Sequence, residues 1–221
     1  MTRKRIPTQP KSTILIATAN PAVAAYFSRV RKDCRYVNMT VEYFQAYTLE
    51  GLIKATGKAR IAGKFASAWA IFGLDDFSIT AEEVVAAQPF ADARKVKLGW
   101  TLPSFSMWLY IHLKPLNQYI ADSASFDQAL AKVFPGYELT ADYMTNEGQD
   151  IHLRLFSSFS KAITNTSVYN KVSEKVNGIP ATTFPVLYED IKNICGEADL
   201  SHNQKHWHQT RAALSTTATM R

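Results

Sequence analysis

The chain has 221 residues, 47% of them apolar, two cysteines, and 25 lysines and arginines against 19 aspartates and glutamates, for a formal charge of +6. This is ordinary globular material for one domain or two small lobes. No apolar run approaches the roughly 18 residues of a spanning helix, and MTRKRIPTQPKS lacks the apolar stretch of a signal peptide, so neither a membrane-embedded nor a secreted protein is expected. The thiols of such a chain stay reduced, so Cys34 and Cys195 are not read as a disulfide. The triplets Asn38-Met39-Thr40 and Asn165-Thr166-Ser167 are then read as chance matches to a glycosylation acceptor.

In chain order, residues 1–11 carry Pro7, Pro10 and four cations and read as a flexible arm. A foldable pattern begins at Ile14. Asn20-Pro21 offers an N-cap and a proline at the first helical position, and AVAAYFSRVRK continues as a helix with Val23, Phe27 and Val30 on one face, ending between Asp33 and Tyr36. TVEYFQAY fits a helical stripe about as well as a strand. TLEGLIKATGKARIAGKFASAWAIF mixes small residues and spaced cations with an increasingly apolar end. Thr80-Ala81-Glu82-Glu83 resembles the capped start of a helix that Pro89 would stop. A helix from about Ser104, apolar all round through Phe105, Met107, Trp108, Leu109, Ile111 and His112, is expected at the centre and ends near Lys114-Pro115. SFDQALAKVF closes at Pro135-Gly136; IHLRLFSSFSKAI and SVYNKVSEKV are further helices, the last ended by Asn177-Gly178. The chain turns polar after Cys195, as a second arm. It has no repeat and no sustained heptads.

The charge is uneven. Residues 1–64 hold 12 Lys+Arg and three acids, whereas the remainder holds 13 and 16. A surplus concentrated in this way attracts polyanions such as nucleic acid or an anionic lipid surface, although a merely solvated face has the same composition. Gly51-Leu-Ile-Lys-Ala-Thr-Gly57-Lys58 departs from a phosphate loop by its spacing and by Ala59 at the hydroxyl position. Its cations Lys54, Lys58, Arg60 and Lys64, interleaved with small residues, can instead reach backbone phosphates. His202, His206 and His208 follow Cys195 but lack a second nearby thiol for a zinc site, and His112 and His152 read as core residues. There is no HExxH and no GxSxG; Asp75-Asp76 and Glu82-Glu83 read as capping and dipole-complementing acids. No catalytic residue, metal ligand or cofactor is assigned, and the chain is not expected to be an enzyme. Trp100, after Arg94-Lys95-Val96-Lys97, is the aromatic chosen as a base-stacking candidate.

NPAVAAYFSRV, YVNMTVEYFQAY, LIK, KPLNQYIADSASFDQALAKVFPG and SVYNKVSEKVNG occur in that order over residues 20–180. In this the sequence resembles the nucleoproteins of bunyaviruses of the orthobunyavirus and herbevirus (peribunyavirus) type. It departs from them at VKLGWTL, where the family arginine is displaced, and at Ser173. The resemblance implies a mainly α, two-lobed helical body with RNA in a basic inter-lobe cleft and arms that clasp neighbouring subunits. The corresponding division is an N-terminal arm over 1–14, an N-terminal lobe over 15–120, a C-terminal lobe over 121–197 and a C-terminal arm over 198–221.

The expected function is encapsidation of single-stranded viral genomic RNA without sequence preference. The RNA-binding set is Lys54, Lys58, Arg60, Lys64, Arg94, Lys95, Lys97, Trp100, Lys171 and Lys175. Expected partners are viral RNA, further copies of the chain in a homo-oligomeric ribonucleoprotein, and the viral polymerase, in the virion interior and the host cytoplasm. The alternatives are a basic adaptor or matrix-like protein on anionic membranes and a nucleic-acid-processing enzyme, which would need a metal.

Overall fold

ILIAT, from Ile14 to Thr18, is an extended strand (β1) in which all five side chains are buried. It belongs to a computed structural model that describes residues 12–201. Most of both expected arms, with His202, His206 and His208, lies outside the described residues. After β1 come α1 (Pro21–Asp33), β2 (Met39–Tyr43), α2 (Leu49–Ala62), β3 (Ser67–Gly73), a single 3-10 turn at Leu74–Asp76, α3 (Ala81–Asp92) and β4 (Lys97–Thr101). The remainder is helical: α4 (Phe105–Ile111), α5 (Ser123–Ala131), α6 (Ala141–Thr145), α7 (Ile151–Phe156), α8 (Phe159–Asn177) and α9 (Phe184–Cys195).

The strands form one parallel sheet in the order β2-β1-β3-β4, with Ile14 opposite Met39 on one side and Ser67 on the other. The expectation of a mainly α, two-lobed body with an inter-lobe basic cleft is therefore corrected to an α/β fold wound about one sheet. The physical cause lies in the two central strands. ILIAT and SAWAIFG are covered on both faces, so they show no polar alternation, and a short all-apolar run has the same signature as the buried end of a helix.

Alternation reappears in the packing. Ile14, Ile16, Trp69 and Ile71 face a core built from α1, α4 and the C-terminal helices. Leu15, Ala17, Ala68, Ala70 and Phe72 face a second core closed by α2 and α3. Connections that move from β1 to β2 lie on one face, and those that move back to β3 and on to β4 lie on the other, as right-handed crossovers require.

Several local expectations hold. Asn20 caps α1 by accepting from the Ala22 and Val23 amides, and Val23, Phe27 and Val30 are buried. Thr80 and Glu83 form a reciprocal capping box on α3, α4 is buried as expected, and Gly178 ends α8 at a φ of 75°. Pro89 does not stop α3, which runs on to Asp92; the expected stop is displaced by one turn. The TVEYFQAY alternative resolves to strand β2 followed by loop, and the glycine-rich stretch lies inside α2, with Gly57 packed against Arg94 rather than exposed in a phosphate loop. Cys34 and Cys195 are free thiols. Among the described residues no helix is long and apolar enough to cross a membrane.

The far edge is closed by side chains. Asp190 on α9 accepts, through one carboxylate oxygen, the Ser67 hydroxyl at 2.6 Å, the Trp69 indole N–H at 2.7 Å and the Lys97 ammonium at 2.8 Å. It thus ties α9 to the starts of β3 and β4. Burial raises its carboxyl, but these three donors outweigh burial and hold it below the usual value. Asp190→Ala leaves the buried Ser67 hydroxyl and the Trp69 N–H without an acceptor and should cost about 2 kcal/mol in chemical denaturation. A loss within error of zero would show that the tie contributes nothing to stability.

Candidate functional site at the carboxyl edge of the sheet

In a sheet ordered β2-β1-β3-β4 the winding reverses between β1 and β3, and the loops leaving those two strands diverge to opposite faces. The crevice they leave at the carboxyl ends of the strands is where open α/β sheets bind ligands. Here β1 leads into Ala19-Asn20 and β3 into Leu74-Asp75-Asp76.

The two loops meet. Asn20 Nδ2 donates to Asp76 Oδ1 at 2.7 Å while its Oδ1 caps α1, so the cap residue also orients a carboxylate across the crevice. The Gly73 amide donates to the other Asp76 oxygen at 2.8 Å. Gly73 has a steric role as well: a Cβ there would lie 2.5 Å from Asp75 Oδ1 and 3.1 Å from the Ser104 Cα. Only glycine lets the Asp75 carboxylate fold back against its own strand. Asp75 Oδ2 accepts from the Ser123 hydroxyl at 3.0 Å, and its amide donates to the Pro103 carbonyl. Nearby, Asp127 accepts from Ser106 at 2.5 Å, and Ser104 contributes a buried hydroxyl that no hydrogen bond among the described residues engages.

The electrostatics are unusual for a surface turn. Asp75 is open to solvent on one side and crowded by protein on the other. That desolvation, then repulsion from Asp76 and more weakly from Asp127, pushes its carboxyl up to about 6. Asp76 is also raised by burial, against the pull of Asn20 and the Gly73 amide. Among the described residues no lysine, arginine or histidine forms an ion pair with either acid. Nor does any group of three or more His, Cys, Asp and Glu make a complete metal cage there. A small hard dication does not need one, because it keeps waters and takes one or two carboxylates plus substrate phosphate.

The cations of the expected RNA-binding set fall into three groups. Around Phe90, between α2 and α3, Arg94 lies over the ring at 3.5 Å and Lys54 at 5.7 Å, and Arg60 Nε donates to the Arg94 carbonyl at 3.2 Å. Lys54 also pairs with Glu50 at 2.6 Å, and Lys58 is exposed on α2. At the amino edge, Lys64 and Lys95 occupy turns with φ of 53° and 55°, and Lys97 opens β4 bound to Asp190. Trp100 is half-buried and donates its indole N–H to the Pro180 carbonyl at 2.9 Å, so it is a packing residue of β4. Lys171 and Lys175 are exposed on α8, which gives Ala162 and Tyr169 to the core on the opposite face.

Sequence reasoning read Asp75 and Asp76 as helix-complementing acids and Asn20 as a cap. Asn20 and Asp76 do fill such roles. The signal for more was an acid pair directly after a seven-residue apolar run, informative only once that run is known to be a strand.

The unfolded Asp75 carboxyl titrates near 3.8 and the folded one near 6. Between these values the folded state holds a proton that the unfolded state releases, so stability falls as pH rises through this window and the penalty is complete above it. Asp75→Asn should therefore melt at a higher temperature than the parent above pH 6, with an advantage that shrinks toward pH 4. A pH-independent difference in melts from pH 4 to 8 would refute this account of the carboxylate.

A family model described as RloB-like protein matches residues 18–191. No curated protein and no solved structure matches the chain. The family is bacterial, and its match covers nearly all of the stretch that resembles bunyavirus nucleoproteins, with no nucleoprotein signal, so that resemblance is corrected. It rested mainly on amphipathic segments, whose apolar periodicity recurs wherever helices cover a core, and it passed over the central strands β1 and β3. From the last residue of β1 to the middle of α9, the chain belongs to the RloB-like protein family.

Proposed function

We propose that the protein is a nucleic-acid-processing enzyme that breaks phosphodiester bonds at the carboxyl edge of its sheet. Asp75 and Asp76 are the catalytic carboxylates, and they would hold a divalent cation that takes its remaining ligands from water and substrate phosphate. The observation that carries the reading is the pair itself: two adjacent acids, raised by desolvation and unpaired by any described cation, fixed at the one crevice that the strand order creates.

A cation at this place supplies charge neutralisation for the phosphoryl oxygens and a water of lowered pKa. The chain's own residues do the rest. Asn20 and the Gly73 amide orient Asp76, and Ser123 steadies Asp75. The desolvation and mutual repulsion that raise both carboxyls in the ion-free site are what a bound dication would relieve, so the pair is arranged to take up positive charge.

The charge distribution supports a polymeric substrate. Strands of five to seven residues are roughly 17–23 Å long at about 3.3 Å per residue. The carboxylates sit at one end of them, and Lys64, Lys95 and Lys97 at the other. A duplex that advances 3.4 Å per base pair spans that height in about five to seven pairs. A small phosphate ester touches one end only.

A second reading, sequence-independent binding of single-stranded RNA without cleavage, is supported by the exposed Lys54 and Lys58 on α2. One experiment separates the two. End-labelled RNA and DNA, single- and double-stranded, are incubated with the protein and Mg²⁺ or Mn²⁺. The enzyme reading expects cation-dependent cleavage that falls by about 10²- to 10⁴-fold in Asp75→Asn and Asp76→Asn. Retention of RNA with no cleavage under any of these conditions would leave only the binding reading. Under the binding reading Lys54→Ala combined with Lys58→Ala should flatten the logarithmic salt dependence of single-strand binding by about 1.4, two contacts at roughly 0.7 each. An unchanged slope would remove these lysines from the interface.

A further inference from the structure

On the face of the sheet opposite α2 and α3, a cavity of about 490 Å³ opens among α1, α7, α8 and α9. Asn20, Asp75 and Asp76 do not line it. Its volume lies within the 300–1,000 Å³ range of small-molecule sites. The walls are aromatic: Tyr26, Tyr36, Phe156, Phe159 and Tyr188. Tyr188 stacks on Trp108, which lies outside the lining, at 5.4 Å and meets Phe159 in a T-shaped contact at 4.9 Å, so its ring is held in place by packing.

The polar groups define what would fit. His112 is 4% exposed and lines the cavity. Its Nδ1 lies 2.8 Å from the Trp108 carbonyl, and because a carbonyl only accepts, Nδ1 carries the proton. Desolvation lowers this imidazole to about 4, so it is neutral at physiological pH and its Nε2 is a hydrogen-bond acceptor that no hydrogen bond among the described residues engages. Burial also pushes the Cys34 thiol up to about 12 and raises the Tyr26 and Tyr188 hydroxyls, so these groups are neutral as well. His152 presents Nε2 at 3.9 Å from Cys34 Sγ and has Nδ1 at 3.5 Å from the buried Asp33 carboxylate. Formal charge in the lining is confined to Glu189, Lys192 and Glu197, and the latter two pair with each other at 2.7 Å.

We propose that this cavity binds a small, uncharged heteroaromatic molecule that donates a ring N–H to His112 Nε2. Flat apolar walls select a planar ring, the charged side chains of the lining (Glu189, Lys192 and Glu197) are all exposed and leave its buried part without a counter-charge for an ion, and the unengaged Nε2 of the buried His112 selects a donor. The site is separate from the carboxyl-edge reaction, and its occupancy does not depend on that reading.

The probe is indole, titrated calorimetrically into the full 221-residue chain, with N-methylindole and indole-3-acetate as comparators. Expected is saturable one-to-one binding of indole with a dissociation constant of about 10 µM to 1 mM, within the range open to so small a ligand. The His112 imidazole resonances should shift on binding. N-methylindole, which lacks the donor, should bind at least about tenfold more weakly, the scale of one lost hydrogen bond, and indole-3-acetate more weakly still. His112→Phe should bind indole and N-methylindole alike, and Ala198→Trp, which puts a bulky ring in the lining, should bind neither. Absence of saturable indole binding, equal affinity of the parent for indole and its N-methyl derivative, or indole binding that survives Ala198→Trp would each overturn the proposal. If His112→Phe loses its near-ultraviolet circular dichroism, the comparison of the two ligands on the parent chain decides alone.

Discussion

β1 and β3 lie side by side with both faces covered, and their backbone amides and carbonyls have no route to water. Such groups must be paired, and for two buried strands the parallel ladder is the means of pairing them. A parallel ladder needs a crossover between successive strands, each crossover needs a helix, and the handedness of crossovers decides which face each helix covers. Once α1 covers one face and α2 the other, the chain leaving β1 and the chain leaving β3 turn away from each other. The crevice that holds Asn20, Asp75 and Asp76 is therefore a consequence of how the central strands satisfy their hydrogen bonds.

What the crevice holds runs against stability. Two adjacent carboxylates, one pushed up to about 6, sit where no described cation offsets them, while the chain elsewhere has cations to spare. Lys97 serves Asp190 at the opposite edge, and Lys54 serves Glu50 on its own helix. Gly73 is needed to let Asp75 approach at all. A destabilising arrangement kept by several independent supports is the physical basis of the proposed catalytic role. The cavity beneath α9 contrasts with it: burial there holds His112, the Cys34 thiol and the Tyr26 and Tyr188 phenols neutral.

The resemblance to viral nucleoproteins illustrates how a helical covering layer misleads. Helices α1, α5 and α8 carry the apolar spacing, caps and terminating turns that any helix packed on a core must carry, and they made up most of the resemblance, with β2 and a short piece of α2. The strands β1, β3 and β4, which hold the topology, are short, and the two central ones are nearly featureless to a periodicity argument.

Signals confined to neighbouring residues were legible in the chain itself. The Asn20-Pro21 start of α1, the Thr80–Glu83 capping box, the buried α4, the left-handed stop at Gly178 and the separation of charge along the chain all depend on contacts within a few positions or on simple counting. The pairing of Ile14 with Ser67, the meeting of Asn20 and Asp76 across 56 positions, and the 121 positions between Trp69 and Asp190 were decided only by tertiary structure. Strand order is a property of the whole ladder, and no local propensity encodes it. The same separation explains the site: Asp75-Asp76 is a capping turn in any local description and becomes a desolvated carboxylate pair in a crevice only when a second strand places Asn20 and a reversal of winding beside it.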